Sequence, residues 1–400
     1  MPGKLRQSEN NVVYIGKESV FGTAITPTTF IRVKQGAEAN VKRDYIQSKS
    51  LIGSRLNPGK FLSTQLVEMK LPCEFDGHNL QAVLQGLLGQ ESVSGVGPYV
   101  HTFTPLNSAN LPSYSVQMGY GAYKYYGYNG SIFNTLTLDI QPKALVEGDV
   151  GVVALAETDL SIQVSGVSAT TITTATAHGY AVGDAVRFFL TSTDGQTTGT
   201  MPSGMSPDTV YYVVTGSTGS TLEVSDTSGG SAISFGTGFL AGIEVVRTAI
   251  NGLTVPNFRP FAFQDVSVKV NGNVLNEFQN LKLNFTNNAF TSDFRTGLAG
   301  QLASIPAGQL VTTITFSVPM DEYTMFLKDA WALGEEIALE IDALSNVPIT
   351  GGYMGFSVVC PTVQITDAKI TGTQIGVQIT ADVVGTFSAT VSNDVSAVFS

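Results

Sequence analysis

Two stretches of the chain carry the same order of apolar and polar positions. The first opens at Val67, where apolar and charged residues alternate as they do in a strand with one buried face. Pro72 has no backbone N–H to donate, so the strand is expected to end there. Asp76 or Asn79 then offers a cap for a helix with apolar residues at i, i+3, i+4, i+7 and i+8. The helical apolar residues are Leu80, Val83, Leu84, Leu87 and Leu88, and Gly89 provides a left-handed stop.

The second stretch repeats this order in the last third of the chain. Ile314, Phe316 and Val318 alternate with polar residues and lead to Pro319. Asp321 and Glu322 follow, where negative charge favours the N-terminus of a helix. The same helical spacing then holds for Tyr323, Phe326, Leu327, Ala330 and Trp331, with Gly334 after them. Two strand–proline–helix–glycine units in one chain indicate a duplicated module.

The remaining pattern divides the chain into four segments. Residues 1–30 show little periodicity and predict an extended N-terminal arm that another surface orders. Residues 31–158 form the first module. Residues 159–248 are rich in Thr, Ser and Gly, fit no helical pattern and predict a small all-β domain inserted in a surface loop. Residues 249–400 form the second module, with a hairpin signal at Asn271-Gly272.

Short alternating runs predict strands through most of the chain, so the fold class is expected to be mainly β. In the first module they include a strand over residues 30–44. In the inserted domain they cover residues 161–164, 170–174, 185–190, 210–214, 221–224 and 232–235. After the second helix they cover residues 337–341, 353–359, 375–379 and 387–391.

The charge of the chain limits its partners. Charged residues make up 13% of the sequence, about half the usual share of roughly 25%. The formal net charge is −11, which argues against binding to a nucleic-acid phosphate backbone, because such binding requires clustered Lys and Arg. Few charges on so long a chain indicate surfaces covered by partners, although a compact β-protein with a Thr/Ser surface fits equally well.

The two cysteines, Cys73 and Cys360, lie far apart, each beside a proline, and are expected to be free buried thiols. The first ten residues are polar and charged, unlike a signal peptide, and no run approaches the ~18 apolar residues of a membrane span. We therefore expect a cytoplasmic origin in a reducing compartment and no membrane partner.

The sequence offers no strong candidate for a catalytic, cofactor-binding or metal-binding site. The histidines are scattered, with His78 at a helix start, His101 near a strand edge and His178 near a turn, and they have no metal-ligand spacing. The loop from Gly53 to Phe61 has the wrong spacing for a phosphate loop. Glu335 and Glu336 would point to opposite faces of a strand. We therefore predict no enzyme activity, no catalytic, cofactor-binding or metal residues, and no cofactor.

A dense group of tyrosines leaves two interpretations open. Its members are Tyr120, Tyr123, Tyr125, Tyr126 and Tyr128. They are typical of aromatic cross-strand pairs within a sheet or a subunit interface. The alternative is a surface on which sugars stack.

Several motifs occur together along both halves. In the first half they are Gly16-Lys-Glu-Ser-Val-Phe-Gly-Thr, Leu80 to Gly89, Tyr99-Val-His-Thr-Phe-Thr-Pro, Ser113-Tyr-Ser-Val and Tyr128-Asn-Gly-Ser-Ile-Phe-Asn-Thr-Leu-Thr-Leu. In the second half they are Val270-Asn-Gly-Asn and Leu281-Lys-Leu-Asn-Phe-Thr-Asn-Asn. Over residues 1–158 and 249–400 the chain thus resembles the major tail tube proteins of long-tailed, siphovirus-like bacteriophages. Residues 159–248, with His178-Gly and Gly183-Asp-Ala-Val, resemble a separate β-module common in tail proteins.

The resemblance implies a fold and a role. Each module would be a β-sandwich or partial barrel with one flanking helix. Strands of neighbouring subunits would join into one closed barrel, in a ring of three chains with pseudo-sixfold symmetry, or of six. Stacked rings would form the tail tube for genome ejection, contacting tape measure, tail tip and terminator proteins, in a virion assembled in the host cytoplasm.

The implied dimensions suit double-stranded DNA. Four inner strands from each of six modules make about 24 strands, and ~4.8 Å spacing with ~45° tilt gives a wall of roughly 160 Å circumference. The bore is then roughly 40 Å wide, against roughly 20 Å for a duplex. An acidic lumen would repel the passing DNA. The alternative function is a tail-tip or fibre adhesin that binds host carbohydrate through the tyrosines and residues 159–248.

Overall fold

The structure is a computed structural model of the whole chain. It describes residues 11–48, 59–120, 124–191, 200–207, 209–214, 216–236, 242–251, 253, 259–275, 278–295, 298, 300–381 and 388–394. The described part is mainly β, as predicted, with two α-helices. The Gly53–Phe61 loop lies outside the described residues except for its last three, as do Tyr123 and residues 1–10.

The helices are α1 (Gly77–Leu88) and α2 (Met325–Leu333), and a 3₁₀ turn covers Phe263–Asp265. The strands up to the middle of the chain are β1 (Val12–Lys17), β2 (Thr29–Ile31), β3 (Glu38–Gln47), β4 (Lys60–Glu74), β5 (Gly89–Ser94), β6 (Tyr99–Pro105), β7 (Tyr114–Tyr120), β8 (Lys124–Ile140), β9 (Glu147–Ala154), β10 (Ala156–Asp159), β11 (Ile162–Ser168), β12 (Thr171–Thr174) and β13 (Ala185–Leu190). The remaining strands are β14 (Tyr211–Val213), β15 (Thr221–Leu222), β16 (Val224–Ser225), β17 (Ile243–Ala249), β18 (Val266–Val270), β19 (Asn273–Val274), β20 (Gln279–Thr286), β21 (Val311–Pro319), β22 (Glu336–Ile349), β23 (Gly352–Thr371), β24 (Gln374–Ala381) and β25 (Ser388–Asn393).

The chain forms two compact units. The first comprises Met1–Tyr14, Gln117–Gly127 and Thr158–Val255, and the second comprises Ile15–Val116, Tyr128–Glu157 and Pro256–Ser400. The four-segment division drawn from the sequence remains a proposal.

The first unit contains a seven-stranded sheet in the order β15-β12-β11-β17-β13-β14-β16. Its core is centred on Tyr211, whose ring makes edge contacts with Phe188 at 5.5 Å and Phe235 at 5.9 Å. The pattern missed β17 and predicted a strand over residues 232–235. That segment is extended but has no ladder, because Ile233 and Phe235 donate to the separate carbonyls of Val224 and Ala169.

The second unit contains an eight-stranded antiparallel sheet in the order β3-β4-β9-β8-β20-β21-β24-β23. A second sheet runs in the order β18-β22-β23-β25-β6-β5, and β19 closes a hairpin with β18. β23 belongs to both sheets. Its first part, up to Gln364, pairs with β22, and its last part, Ile365–Thr371, pairs with β24.

Helix α1 agrees with its pattern. The Asp76 side chain caps it by accepting a 2.8 Å hydrogen bond from the Asn79 amide, and Gly89 ends it at φ 84°. All five predicted apolar positions are buried. The helix packs against β5, β6 and β25, so strands from both halves of the sequence cover it.

Helix α2 differs from the sequence prediction in which of its apolar residues are buried. Gly334 ends it at φ 67°, as predicted, but within the helix only Leu327 and Ala330 are buried. Tyr323, Phe326 and Trp331, predicted on the buried stripe, are 77%, 38% and 37% exposed. The prediction of a second buried stripe is therefore wrong for these three residues. The strand contacts of α2 are chiefly with β23, and burial within the helix is confined to Leu327 and Ala330.

Two predicted strand limits also change, and one predicted turn is confirmed. Pro72 does not end β4, which continues to Glu74. The Pro72 carbonyl accepts a hydrogen bond from the Lys34 amide, on the side of β4 that faces β3. The pairing of β3 with β4 does not extend to Pro72, so the missing N–H of Pro72 removes no hydrogen bond between the two strands. The strand expected over residues 30–44 is split into β2 and β3. The hairpin at Asn271-Gly272 is confirmed, with both residues at positive φ.

The expected N-terminal arm is partly integrated in the fold. Residues 12–17 form β1, which pairs with β2 and β7. Just after it, the buried Glu18 carboxylate accepts hydrogen bonds from the Ser113 and Ser115 hydroxyls at 2.7 and 2.9 Å. It also accepts the amides of Gly22 and Gly130. These four donors satisfy the buried carboxylate and fix the segment that follows β1.

Candidate functional site: an open eight-stranded sheet

The eight-stranded sheet consists of two sets of four strands in the same order. The first set is β3-β4-β9-β8 and the second is β20-β21-β24-β23. Each set begins with two strands, continues into a helix and ends with two strands that come later in the chain. The same number of residues separates Met69 from Gly89 and Ile314 from Gly334. The two sets therefore repeat one structural unit.

The two sets meet where β8 pairs with β20. Leu136 lies opposite Phe285, Leu138 opposite Leu283, and Thr137 opposite Asn284. The Thr137 hydroxyl donates a 2.8 Å hydrogen bond to the Asn284 side-chain oxygen. This internal junction shows how the last strand of one set binds the first strand of the next.

One face of the sheet is mainly polar, although Ile132 and Val153 on it form an apolar cluster with Leu302 and Ile305. Acidic strand residues on it are Glu38, Asp44, Glu68, Glu74, Asp139, Glu147, Asp149 and Asp367, and basic ones are Lys42, Lys70, Lys282 and Lys369, as the direct cross-strand pairs place them. Acidic side chains thus outnumber basic ones among the described residues of this face. The opposite face carries the apolar core, including Met69, Leu71, Leu283 and Phe285.

Ion pairs partly offset the acidic charge. Lys42 lies 2.6 Å from Glu68, Lys70 lies 3.3 Å from Asp149, and Lys34 pairs with Glu147. The hydrogen bond to Glu147 raises the pKa of Lys34 above its usual value. Because these side chains are exposed, each pair contributes ~0–1 kcal/mol at most. Their main effect is to make the electrostatic potential of the polar face less negative.

The sheet ends in two edges to which no strand is paired within the described residues. One edge is β3, which pairs with β4 alone. The other is the last part of β23, where Ile370 is 42% exposed. Two carbonyls of this segment accept side-chain hydrogen bonds from α2, with Lys328 Nζ 2.7 Å from the Ala368 oxygen and Trp331 Nε1 3.2 Å from that of Thr366. Open antiparallel edges are templates for pairing with another chain.

The sequence pattern missed the edge strand of β23. It predicted a strand over residues 353–359 and the next one only over residues 375–379. Val363 and Ile365 alternate with polar residues, and Ala368 and Ile370 do so in the opposite phase. The irregularity between Ile365 and Asp367 shifts the phase, so a fixed period of two does not detect the strand.

The histidines occupy structural positions. His101 was expected near a strand edge, but it is fully buried in β6 between β5 and β25. Its Nδ1 lies 2.8 Å from Glu91 and 3.0 Å from Gln81. His178 bonds the Thr221 carbonyl and the Tyr180 amide. The His78 side chain, at the start of α1 as expected, is 11% exposed and lies 2.7 Å from Asp394.

The two cysteines lie in the protein core. Cys73 and Cys360 are free and buried, as predicted, and burial raises the pKa of both thiols. No group of metal-binding side chains occurs within the described ranges. Of the helices in the described part, none is long and apolar enough to cross a membrane.

The tyrosine group fits cross-strand packing. Tyr125 and Tyr128 are buried, with hydroxyls bonded to the Thr248 carbonyl and the Glu157 carboxylate. Tyr120 and Tyr126 make an edge contact at 5.9 Å. The buried rings of Tyr125 and Tyr128 offer no face on which a sugar could stack.

Comparison with known protein families gives a match over the first half of the chain. Residues 8–204 match the family model described as phage tail tube protein. The matched range includes the first set of four strands and α1, while the second set lies beyond it. No curated protein sequence matches the chain.

Proposed function

Because the chain belongs to the phage tail tube protein family, and is thus a structural component of the virion tail, we propose that its copies join edge to edge into rings. The rings stack into the tube through which the genome is ejected into the host. Assembly takes place in the host cytoplasm, and the finished tube contacts tape measure, tail tip and terminator proteins. The role requires no enzymatic activity.

The open eight-stranded sheet carries this proposal. Its first and last strands have different unpaired edges, so a contact between them is head-to-tail. Head-to-tail contacts give a ring when the rotation closes, and closure leaves no exposed sheet edge. One covered apolar face and one polar face suit a wall with water on the inside.

The strand count favours three chains per ring. Three chains supply about 24 strands and a bore of roughly 40 Å at ~4.8 Å spacing and ~45° tilt. Six chains would supply about 48 strands and a bore of roughly 95 Å by the same estimate. A duplex of roughly 20 Å passes through the first with room for water.

The acidic polar face supports the conduit role. We assign this face to the lumen, where a surplus of Glu and Asp repels the phosphates of the passing duplex. DNA then moves through the tube without a specific site, because counterion release favours binding only to clustered cations.

Negative-stain microscopy of the purified full chain tests the proposal. We expect rings or tubes with threefold rotational symmetry. Ile370→Asp, which charges the β23 edge, should abolish them, whereas Val182→Asp, at a residue 50% exposed in the first unit, should not. Compact monomers or trimeric spikes from the wild-type chain would contradict the proposal and favour the adhesin alternative.

A further inference from the structure

We propose that β3 of one copy pairs antiparallel with the last part of β23 of the next copy, with Val41 opposite Ala368. This inference rests on the proposed ring and adds its partner edges and their register. It follows from the internal junction, which already joins the last strand of one set to the first strand of another.

The equivalence of the two sets fixes which residues correspond. One row of opposite residues crosses the first set at Ala39, Met69, Val152 and Phe133. The matching row crosses the second set at Leu283, Ile314, Ile379 and Ile365. In both sets the next residue of the last strand, Asn134 or Thr366, is the extra residue of an irregularity. β3 therefore corresponds to β20, and the last part of β23 corresponds to β8.

The internal register can now be transferred to the open edges. Leu283 faces Leu138 and Phe285 faces Leu136 at the internal junction. Leu283 corresponds to Ala39 and Leu138 to Ile370, so Ala39 faces Ile370 of the next copy. Phe285 corresponds to Val41 and Leu136 to Ala368, so Val41 faces Ala368 of the next copy. On the polar face, Asn40 faces Lys369 and Lys42 faces Asp367.

The chemistry of these pairs agrees with the transferred register. The apolar residues of β3 meet apolar residues of β23, and the half-exposed Ile370 becomes covered. Lys42 meets a carboxylate, and Lys369 meets the amide oxygen of Asn40. Opposite charges directly across a pair of strands stabilise the pairing. A slip by one residue would place every side chain on the wrong face.

The internal junction also indicates which hydrogen bonds the β23 carbonyls accept from the next copy. The Asn134 carbonyl accepts a 2.8 Å hydrogen bond from the Asn287 amide, beyond the end of β20. By equivalence, the Thr366 carbonyl accepts the Arg43 amide of the next copy. A carbonyl oxygen has two lone pairs, so the bonds from Lys328 and Trp331 do not prevent the new ladder. The exposed flank of α2 is continuous with this interface, whereas α1 is covered within the chain.

Cysteine cross-linking between copies tests the register. Lys42→Cys and Asp367→Cys are made in separate chains, mixed before assembly, oxidised and run on a non-reducing gel. Opposite residues lie ~5 Å apart, within disulfide range. The control mixes Lys42→Cys with Thr371→Cys, on the same face but ~13 Å further along the strand. Cys73 and Cys360 are buried, so the wild type provides the background.

We expect at least fivefold more cross-linked dimer from the 42/367 mixture than from the control. Equal cross-linking, or more from the control, in normal tubes would overturn the register and leave the proposed function intact. If the wild-type chain forms no ring, the proposed register and the proposed function both fail. Should the cysteine variants not assemble, charge reversal decides: Lys42→Asp and Asp367→Lys should each reduce assembly at least fivefold, and their combination should restore it. Absence of restoration would also overturn the register.

Discussion

The Thr137 hydroxyl and the Asn284 side chain form a 2.8 Å hydrogen bond across the junction between β8 and β20. We predict that Thr137→Val and Asn284→Leu each lower the free energy of unfolding by ~1 kcal/mol, with a coupling of ~0.5–1.5 kcal/mol in the double variant. Urea denaturation of all four proteins measures this. Thr371→Val, at the exposed edge, is the matched control and should be near neutral. Additive effects would show that the bond contributes nothing to the junction.

The two helix-ending glycines provide a matched comparison. Both have positive φ, so alanine at either position carries a backbone cost of ~1 kcal/mol. A Cβ at Gly89 would also lie 3.0 Å from Leu106 and 3.1 Å from Leu111, while one at Gly334 would have open space. We therefore expect Gly89→Ala to lower the melting temperature clearly more than Gly334→Ala. Equal shifts would contradict the crowding around Gly89.

Stability should depend on the protonation of His78. Burial lowers the pKa of its imidazole, but the neighbouring carboxylates of Asp76 and Asp394 outweigh burial and raise the pKa above 6.5. A raised folded-state pKa stabilises the protein below the unfolded value, and the gain is lost as pH rises through the folded value. The wild type should therefore exceed His78→Gln in stability at pH 5–6 and converge with it above the raised pKa. Thermal melts across this range measure it, and a constant difference would contradict it.

Charge reversal on the polar face should make the tube retain DNA. Asp149 lies on this face with its side chain 47% exposed. We expect tubes of Asp149→Lys to bind a short duplex in co-sedimentation at 50 mM salt and to release it at 200 mM, because phosphate contacts are salt-dependent. Tubes of the wild type and of Asp226→Lys, an exposed change in the first unit, should not bind it. Equal retention by the wild type would contradict an acidic lumen.

Removal of residues 159–248 should leave tube assembly intact. Within the first unit, Ile162 pairs directly with Val245, and each lies three residues inside an end of the excised segment, so a short Gly-Ser linker can join the flanking residues. The segment also has its own core around Phe188 and Tyr211. Microscopy of the deletion variant should show tubes of unchanged inner diameter. Loss of polymerisation would show that this segment is part of the wall.

Local chemistry made several elements predictable from the sequence. The Asp76 cap, the apolar stripe of α1, the left-handed glycines and the Asn271-Gly272 hairpin depend on residues close together in the chain. The mainly β class follows from alternation for the same reason. The family resemblance added the expectation of a shared barrel, which no spacing of residues implies.

Tertiary structure decided what no local pattern contains. Pro72 stays inside β4 because β3 ends before it, and α2 keeps an exposed apolar flank although its spacing matches that of α1. Residues 365–371 became an edge strand only through their pairing with β24 after a change of phase. Each outcome depends on which distant segment lies alongside. Local sequence determines most of the strands and helices, whereas the remaining strands and the edges left open are determined by all the pairings together.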